Sequence, residues 1–183
     1  MSWSLIRNEG KDESPSNVEQ IRLLDEQIQE AARSGIIMYC AAADEGLYGS
    51  NKELYPRQAD TDHIKAVGSA LENGQQSNFV NASQVHYLFP GEDINELNNR
   101  RGSSAATAIA SGLAALLIWC FKQRRGDTGF KKIAHPREMH YLFNKLKAKG
   151  SKWVDATKVF KEGNDVEGVV KYCERVLETM DLN

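Results

Sequence analysis

The chain has 183 residues, 41% of them hydrophobic, enough for one sizeable domain with a packed core, which excludes disorder throughout. Lys and Arg number 23 against 25 Asp and Glu, so no long-range field favours a partner, and neither nucleic acid nor a membrane is expected as one. Cys40, Cys120 and Cys173 are odd in number, far apart and without CxxC spacing, which argues against a disulfide framework or a zinc site. Reduced, mostly buried thiols are expected, with no metal and no cofactor.

The N-terminal residues MSWSLIRNEGKDES carry no basic segment followed by an apolar one, so no signal peptide is expected, and an intracellular, cytoplasmic protein is. Residues 1–6 read as a strand and RNEGKDESPSN as a polar loop. Ser16 and Glu19 have capping-box spacing, and Val18, Ile21, Leu24, Ile28 and Ala32 recur at helical intervals up to Gly35, which suits a left-handed C-cap. Residues 36–43, IIMYCAAA, form an apolar run of strand length, as expected for a strand covered on both faces of a parallel sheet. The three together predict a βαβ unit. HIKAVGSA and QVHYLFP predict two further strands, separated by the turn ENGQQSN.

A helix opens at RGSSAATAIASG, where Ala106, Thr107, Ala110, Ser111 and Gly112 are small enough for close packing. From Ser103 to Phe121 there is no charge, and basic residues frame the run as they would a membrane span. Its first half is Ser, Ala, Thr and Gly, however, which partition poorly into hydrocarbon, and a central helix buried by its neighbours is the preferred reading. KQRRGDTGF then predicts a loop. Pro136 suits a first helical position, Ser151 suits the cap of a short helix carrying Trp153 and Val154, and Val166, Val169, Cys173, Val176, Leu177 and Met180 mark a last amphipathic helix.

Open α/β sheets place their sites at the carboxyl ends of strands. Two loops are candidates: AAADEG after the Ile36 run, and Gly102-Ser103-Ser104 at a helix start. There the orphan amides and the positive end of the dipole favour a developing anion. A serine at that point could attack a carbonyl, or the two serines could simply serve as caps.

GSSAATAIASGLAALL resembles the serine segment of the subtilases, the subtilisin-like serine proteases of the peptidase S8 type, whose pattern is G-T-S-M-A-[TS]-P-x-x-[AS]-G-x-x-A-L. Gly102, Ser104, Ala106, Thr107, Gly112, Ala115 and Leu116 fall in register. ARSGIIMYCAAADEG, YPRQADTDHIKAVGSA and FVNASQVHYLFPGEDI resemble further blocks in the family's order, and Ser2, Trp3 and Ser4 resemble the strand that edges the substrate cleft. The resemblance covers roughly residues 1 to 121, with a weaker echo up to Phe160. It implies an α/β, parallel-sheet, subtilisin-like three-layer fold, of which this chain is the C-terminal half. Residues 1–123 would belong to that catalytic domain and 124–183 to a helical C-terminal segment, part of which, to about 160, belongs with the same domain.

The resemblance also implies residue roles. Ser104 matches the nucleophile, Asp44 the oxyanion-hole position, and Ser2, Trp3, Ser4, Ala41, Ala42 and Ala43 the substrate-binding edges. The family's D-[ST]-G and H-G-[ST] motifs are absent, and His63, His86, His135 and His140 match no catalytic position. Without a base a serine hydroxyl is a poor nucleophile at neutral pH. Asp44 stands where subtilases carry an asparagine donor, and an ionised aspartate only accepts; losing that donor in subtilisin itself costs about 10²–10³ in kcat. A protonated Asp44 could donate, as in the acid-acting sedolisins, but the calcium loop of that group is missing. AAADEG is closer to divergent fungal subtilase-like domains. Ala43, Ala105 and Ala108 also depart from the family's glycine, methionine and proline.

Two functions follow as expectations. One is a serine endopeptidase acting on a peptide or protein substrate through Ser104, incomplete in this chain, whose partner would be the missing N-terminal half or other domains of a longer protein. The other is a non-catalytic pseudoprotease that binds peptides or proteins.

Overall fold

The computed structural model describes residues 5–6, 15–44, 54–55, 63–92 and 101–180. In chain order the elements are β1 (Leu5–Ile6), α1 (Pro15–Arg33), β2 (Met38–Ala41), β3 (Leu54–Tyr55), β4 (Ile64–Ala70), β5 (Tyr87–Pro90), α2 (Ser103–Ile133), α3 (Pro136–Leu146) and α4 (Val166–Glu178). β2, β4 and β5 form a parallel sheet in the order β2-β4-β5, and β1 pairs with β3 antiparallel. This is the α/β parallel-sheet architecture that the sequence implied, but β1 lies outside the parallel sheet among the described residues, so the βαβ unit expected of β1, α1 and β2 is a correction.

α1 begins at Pro15, a proline at the first helical position, so Ser16 lies inside the first turn and not at the cap. Glu19 is engaged instead by Arg22, whose Nε and Nη2 donate to the carboxylate at 2.9 and 2.6 Å. The other end is as expected: Gly35 has φ +71°, its N–H donates to Ala32 O, and Ile36 N–H donates to Ala31 O, the paired bonds of a Schellman motif. Between these ends Ile21, Leu24 and Ile28 lie against Cys40, Ile64 and Ala66 on the sheet.

On the other face of the sheet lies the main core. Tyr39, Val67, Tyr87 and Phe89 from the strands meet Ala106, Ala110, Leu113, Ala114 and Leu117 from α2. The same cluster runs on through Leu142 and Phe143 of α3 to Val170, Cys173 and Leu177 of α4. Phe143 is its aromatic centre, with ring centroids 5.7 Å from Tyr39, 5.4 Å from Tyr87 and 5.6 Å from Phe89. Such offset and edge-on pairs add to the burial of the rings themselves. All three cysteines are buried and none is in a disulfide among the described residues.

α2 is by length and composition able to cross a membrane, with mean hydropathy 1.8 in its most apolar window. Here one of its faces lies on β2, β4 and β5, and only toward its middle do Leu116 and Trp119 stand 43% and 50% exposed. The expected loop at residues 122–130 is a correction: helix continues to Ile133, broken at Gly126, whose φ of +63° and ψ of −157° leave the helical region. Its polar, glycine-containing composition concealed two restraints. Ile133 is fully buried, and Arg125 reaches α4, donating to Glu174 at 2.7 Å and Glu167 at 3.0 Å.

The short helix expected after Ser151 is also corrected. Trp153 and Val154 instead bridge to Leu88 and Lys147 as an extended segment, which hides Val154 in the core; the 3₁₀ turn comes later, at Ala156–Lys158, capped by Asp155. Pro136 and Asp165 start α3 and α4 as a first-position proline and an N-cap.

Candidate active site

Three segments converge at the carboxyl ends of the parallel strands. Asp44 follows β2, Ser69 lies near the end of β4, and Gly91 follows β5; α2 begins against all three. Gly102, its N-cap, holds φ +122° and donates its N–H to Gly91 O at 2.7 Å. Both glycines are required by closeness. A Cβ on Gly102 would sit 2.6 Å from Asp44 Oδ2, and one on Gly91 would sit 2.4 Å from Ser69 Oγ and 2.9 Å from Gly102 O.

Ser103, fully buried, is the hub of the junction. Its N–H donates to Asp44 Oδ2 at 3.0 Å and Oδ1 at 3.2 Å, and its hydroxyl donates to Oδ1 at 2.6 Å while accepting from Ser69 N–H at 3.2 Å. Asp44 thus caps α2 from another loop, a carboxylate on the positive end of a helix. The hydroxyls continue inward: Thr107 Oγ1 donates to Ser103 O at 2.7 Å and Ser111 Oγ to Thr107 O at 2.9 Å. Ser69 and Ser77 share a hydrogen bond at 2.8 Å. Ser69, Ser77 and Gly91 are the residues that sequence reasoning missed, and it names Ser103 only beside Ser104 and as a possible cap. Their chain separations carry no local pattern, since the contacts join strand ends far apart in sequence.

Ser104, by contrast, is exposed at the second position of α2, one residue beyond the buried anchor. Its amide is among the first-turn donors for which a helix offers no acceptor. Ala41 ends β2 half-buried; Ala42 is buried and donates to Val67 O at 2.8 Å; Ala43 is half-buried and leads to the exposed Asp44. Ser2, Trp3 and Ser4 lie outside the described residues.

Where a base might be sought, the histidines are elsewhere. His63 precedes β4, and His86 precedes β5 and accepts from Ala66 N–H through Nδ1 at 3.0 Å. His135 caps α3 and His140 lies within it. His63, His135 and His140 line one cleft at the amino ends of the strands, the opposite end of the sheet from Ser104.

The model of the subtilase family, Peptidase_S8, matches residues 1–145. The chain belongs to the subtilase family of serine proteases. Among relatives, the major intracellular serine protease of Bacillus subtilis is 31% identical over 110 residues, spanning 56% of this chain and 34% of that protein. Similar solved structures include the self-cleaved protease domain of PatA, with TM-score 0.61 and 21% identity over 95% of this chain and 60% of that one. A lanthipeptide protease is similar with TM-score 0.62 and 14% identity, covering 93% and 59%. The PatG macrocyclase in complex with peptide gives 0.59 and 16%, covering 94% and 50%. The chain therefore spans about a third of the curated relative and up to three fifths of these structures, and the subtilase fold is the level at which they agree. Among the described residues no group of His, Cys, Asp and Glu could hold a metal ion.

Proposed function

We propose that this subtilase chain carries the nucleophile-bearing part of an intracellular serine endopeptidase, with Ser104 attacking the peptide carbonyl, and that it does not hydrolyse peptides alone. One observation carries the reading: Ser104 is exposed in the first turn of α2 while the residue before it is locked among three strand-end loops. That arrangement holds a hydroxyl and first-turn amides at one rigid point, as attack and charge stabilisation both require. Ser104 also needs a base to take its proton, and all four histidines of the chain stand toward the other end of the sheet. The base and its orienting aspartate then come from another segment or chain. Leu116 and Trp119 on α2, and the outer edge of β2, unpaired among the described residues, are apolar and backbone surfaces on which such a segment would pack.

A fluorophosphonate tests the assignment. No labelling is expected for the chain alone, and labelling that depends on Ser104 when it is assembled with a segment carrying the D-[ST]-G and H-G-[ST] motifs. Equal labelling of the assembled Ser104→Ala variant would remove Ser104 from the mechanism.

A second reading, a non-catalytic peptide-binding module, is favoured by Asp44. Its carboxylate accepts from Ser103, and the family resemblance assigns that position to an oxyanion donor. Peptide binding that survives Ser104→Ala, with no turnover in the assembled protein at any pH, would support that module against the protease.

A further inference from the structure

α3 is fastened differently from its neighbours. The start of α2 is hydrogen-bonded to Asp44 and Ser69, and its far part is tied to α4 through Arg125. The segment after α3 exchanges backbone bonds with β5: Leu88 N–H donates to Lys152 O at 2.8 Å and Val154 N–H to Leu88 O at 3.0 Å. α3 meets the sheet through side-chain packing instead, with Met139, Leu142 and Phe143 fully buried and the Tyr87 hydroxyl donating to His140 O over a long 3.3 Å.

His140 lies in the middle of that contact. It is 9% exposed, its ring stands edge-on to Tyr39 with centroids 5.9 Å apart and near-parallel to Tyr87 at 6.2 Å, and neither ring nitrogen has a hydrogen-bond partner. The Tyr39 hydroxyl is buried without one as well. A neutral imidazole carries this arrangement at some cost, but an imidazolium there would have two unmet donors and a buried charge. The titratable groups facing it offer no counter-charge. Lys65 and His63 approach from β4 and the residue before it, and His86 from the residue before β5; β2 and β5 bring the phenols of Tyr39 and Tyr87, both pushed up by burial. α2 and α4 bring the thiols of Cys120 and Cys173 to the same core, likewise pushed up by burial. The end of α1 and the residues after α4 present Ala32 and Met180. On α3 itself His135 and Arg137 stand nearby, and the Glu138 carboxylate is engaged by His135 Nδ1 at 2.8 Å.

We propose that His140 is an acid-sensitive latch on α3: when the imidazole takes up a proton, α3 comes away from β2 and β5 while the sheet and the first turns of α2 stay folded. The ring nitrogens are out of reach of water in the docked helix, so the proton is taken up by the detached one, and acid draws on that population. Burial, and then Lys65, His86 and His63, hold the docked imidazole down to about 4, against an ordinary 6.5 for the detached ring. Docking is therefore fully supported above 6.5 and weakened as pH falls toward 4. Release uncovers Tyr39, Tyr87 and Phe89 on the sheet. The latch is independent of the reading given for Ser104.

Hydrogen exchange of the full chain tests the latch, read at single amides by NMR and corrected for the intrinsic pH dependence of exchange. The amides of Leu142 and Phe143 are expected to be less protected than those of Val67 and Ala110 at pH 8. By pH 5 they should lose about a further thirtyfold of protection, the factor that a shift from 6.5 to about 4 gives at that pH. In His140→Phe and His140→Leu, shown to be folded by thermal melts at pH 8, the loss should shrink to about threefold or less. Protection of α3 equal to that of Val67 and Ala110 throughout would mean that α3 opens only with the whole molecule. Unchanged protection of the native α3 down to pH 5, or an undiminished loss in both folded variants, would mean that His140 does not sense the acid. Any of these results would overturn the proposal.

Discussion

Replacing Asp44 separates its two possible services, holding α2 and opposing an oxyanion. Asp44→Asn keeps one acceptor oxygen but sets an NH₂ group against Ser103, whose N–H and hydroxyl both donate to the carboxylate at 2.6–3.2 Å. A hydrogen bond to a charged group contributes about 1.5–3 kcal/mol, and a carboxylate at a helix start about 0.3–1 kcal/mol. Asp44 is exposed on its outer side, so solvent screening selects the low end, and a loss of about 1–2 kcal/mol is expected. Asp44→Ala removes all the acceptors and strands the donors of fully buried Ser103, for a loss of about 2–4 kcal/mol. At this chain length each kcal/mol lowers Tm by about 2–4 °C. Thermal and urea melts of the three proteins read the series directly. In the assembled protease the same Asp44→Asn change supplies an oxyanion donor and should raise kcat by up to about 10²–10³, the size of the effect measured in subtilisin. Asp44→Ala melting with the native protein would refute the capping role, and Asp44→Asn that stabilises the chain without raising turnover would refute both arguments together.

Other outcomes are as specific. Gly112 lies within α2, and a Cβ there meets no described atom within 4 Å, so Gly112→Ala should stabilise by about 0.5–1 kcal/mol in urea melts; a destabilised variant would mean that a further surface is packed there. His140 titrates at about 4 in the fold against an ordinary 6.5. Because the folded value is depressed for a base that must stay neutral, its stability contribution is complete above 6.5 and lost as pH falls toward 4, by about 3 kcal/mol in all. His140→Phe should flatten that part of the pH–stability curve, and an unchanged slope would contradict the burial argument. Cys173 is fully buried, and its thiol is pushed up to about 12 by burial and by Cys120 nearby. It should resist alkylation at pH 8 until the chain unfolds, and prompt labelling in the native protein would show that α4 opens locally.

Local chemistry made much of the fold legible. The apolar run at residues 36–43, the helical spacing from Ile21 to Ile28 and the glycine at 35 each have one comfortable backbone solution, and the structure adopts them as β2, α1 and a Schellman turn. Gly102 and Ser104 were readable as a helix-start serine, because small residues and orphan amides there are a property of a few adjacent positions. Gly112 was misread as a packing contact, since sequence records a residue's size and not what stands opposite it. The segment after Phe121 was misread for a similar reason: its basic, glycine-containing composition suits a loop, and only α4, bringing Glu167 and Glu174 to Arg125, makes it helix. Most consequential is Ser103. The family pattern singles out Ser104, but no property of the two adjacent serines foretells that Ser103 is buried between Asp44 and Ser69 while Ser104 faces solvent. Which of two neighbouring hydroxyls anchors and which is presented depends on where the ends of β2, β4 and β5 meet the first turn of α2. That is fixed by long-range strand register and packing, and by no pattern of nearby residues.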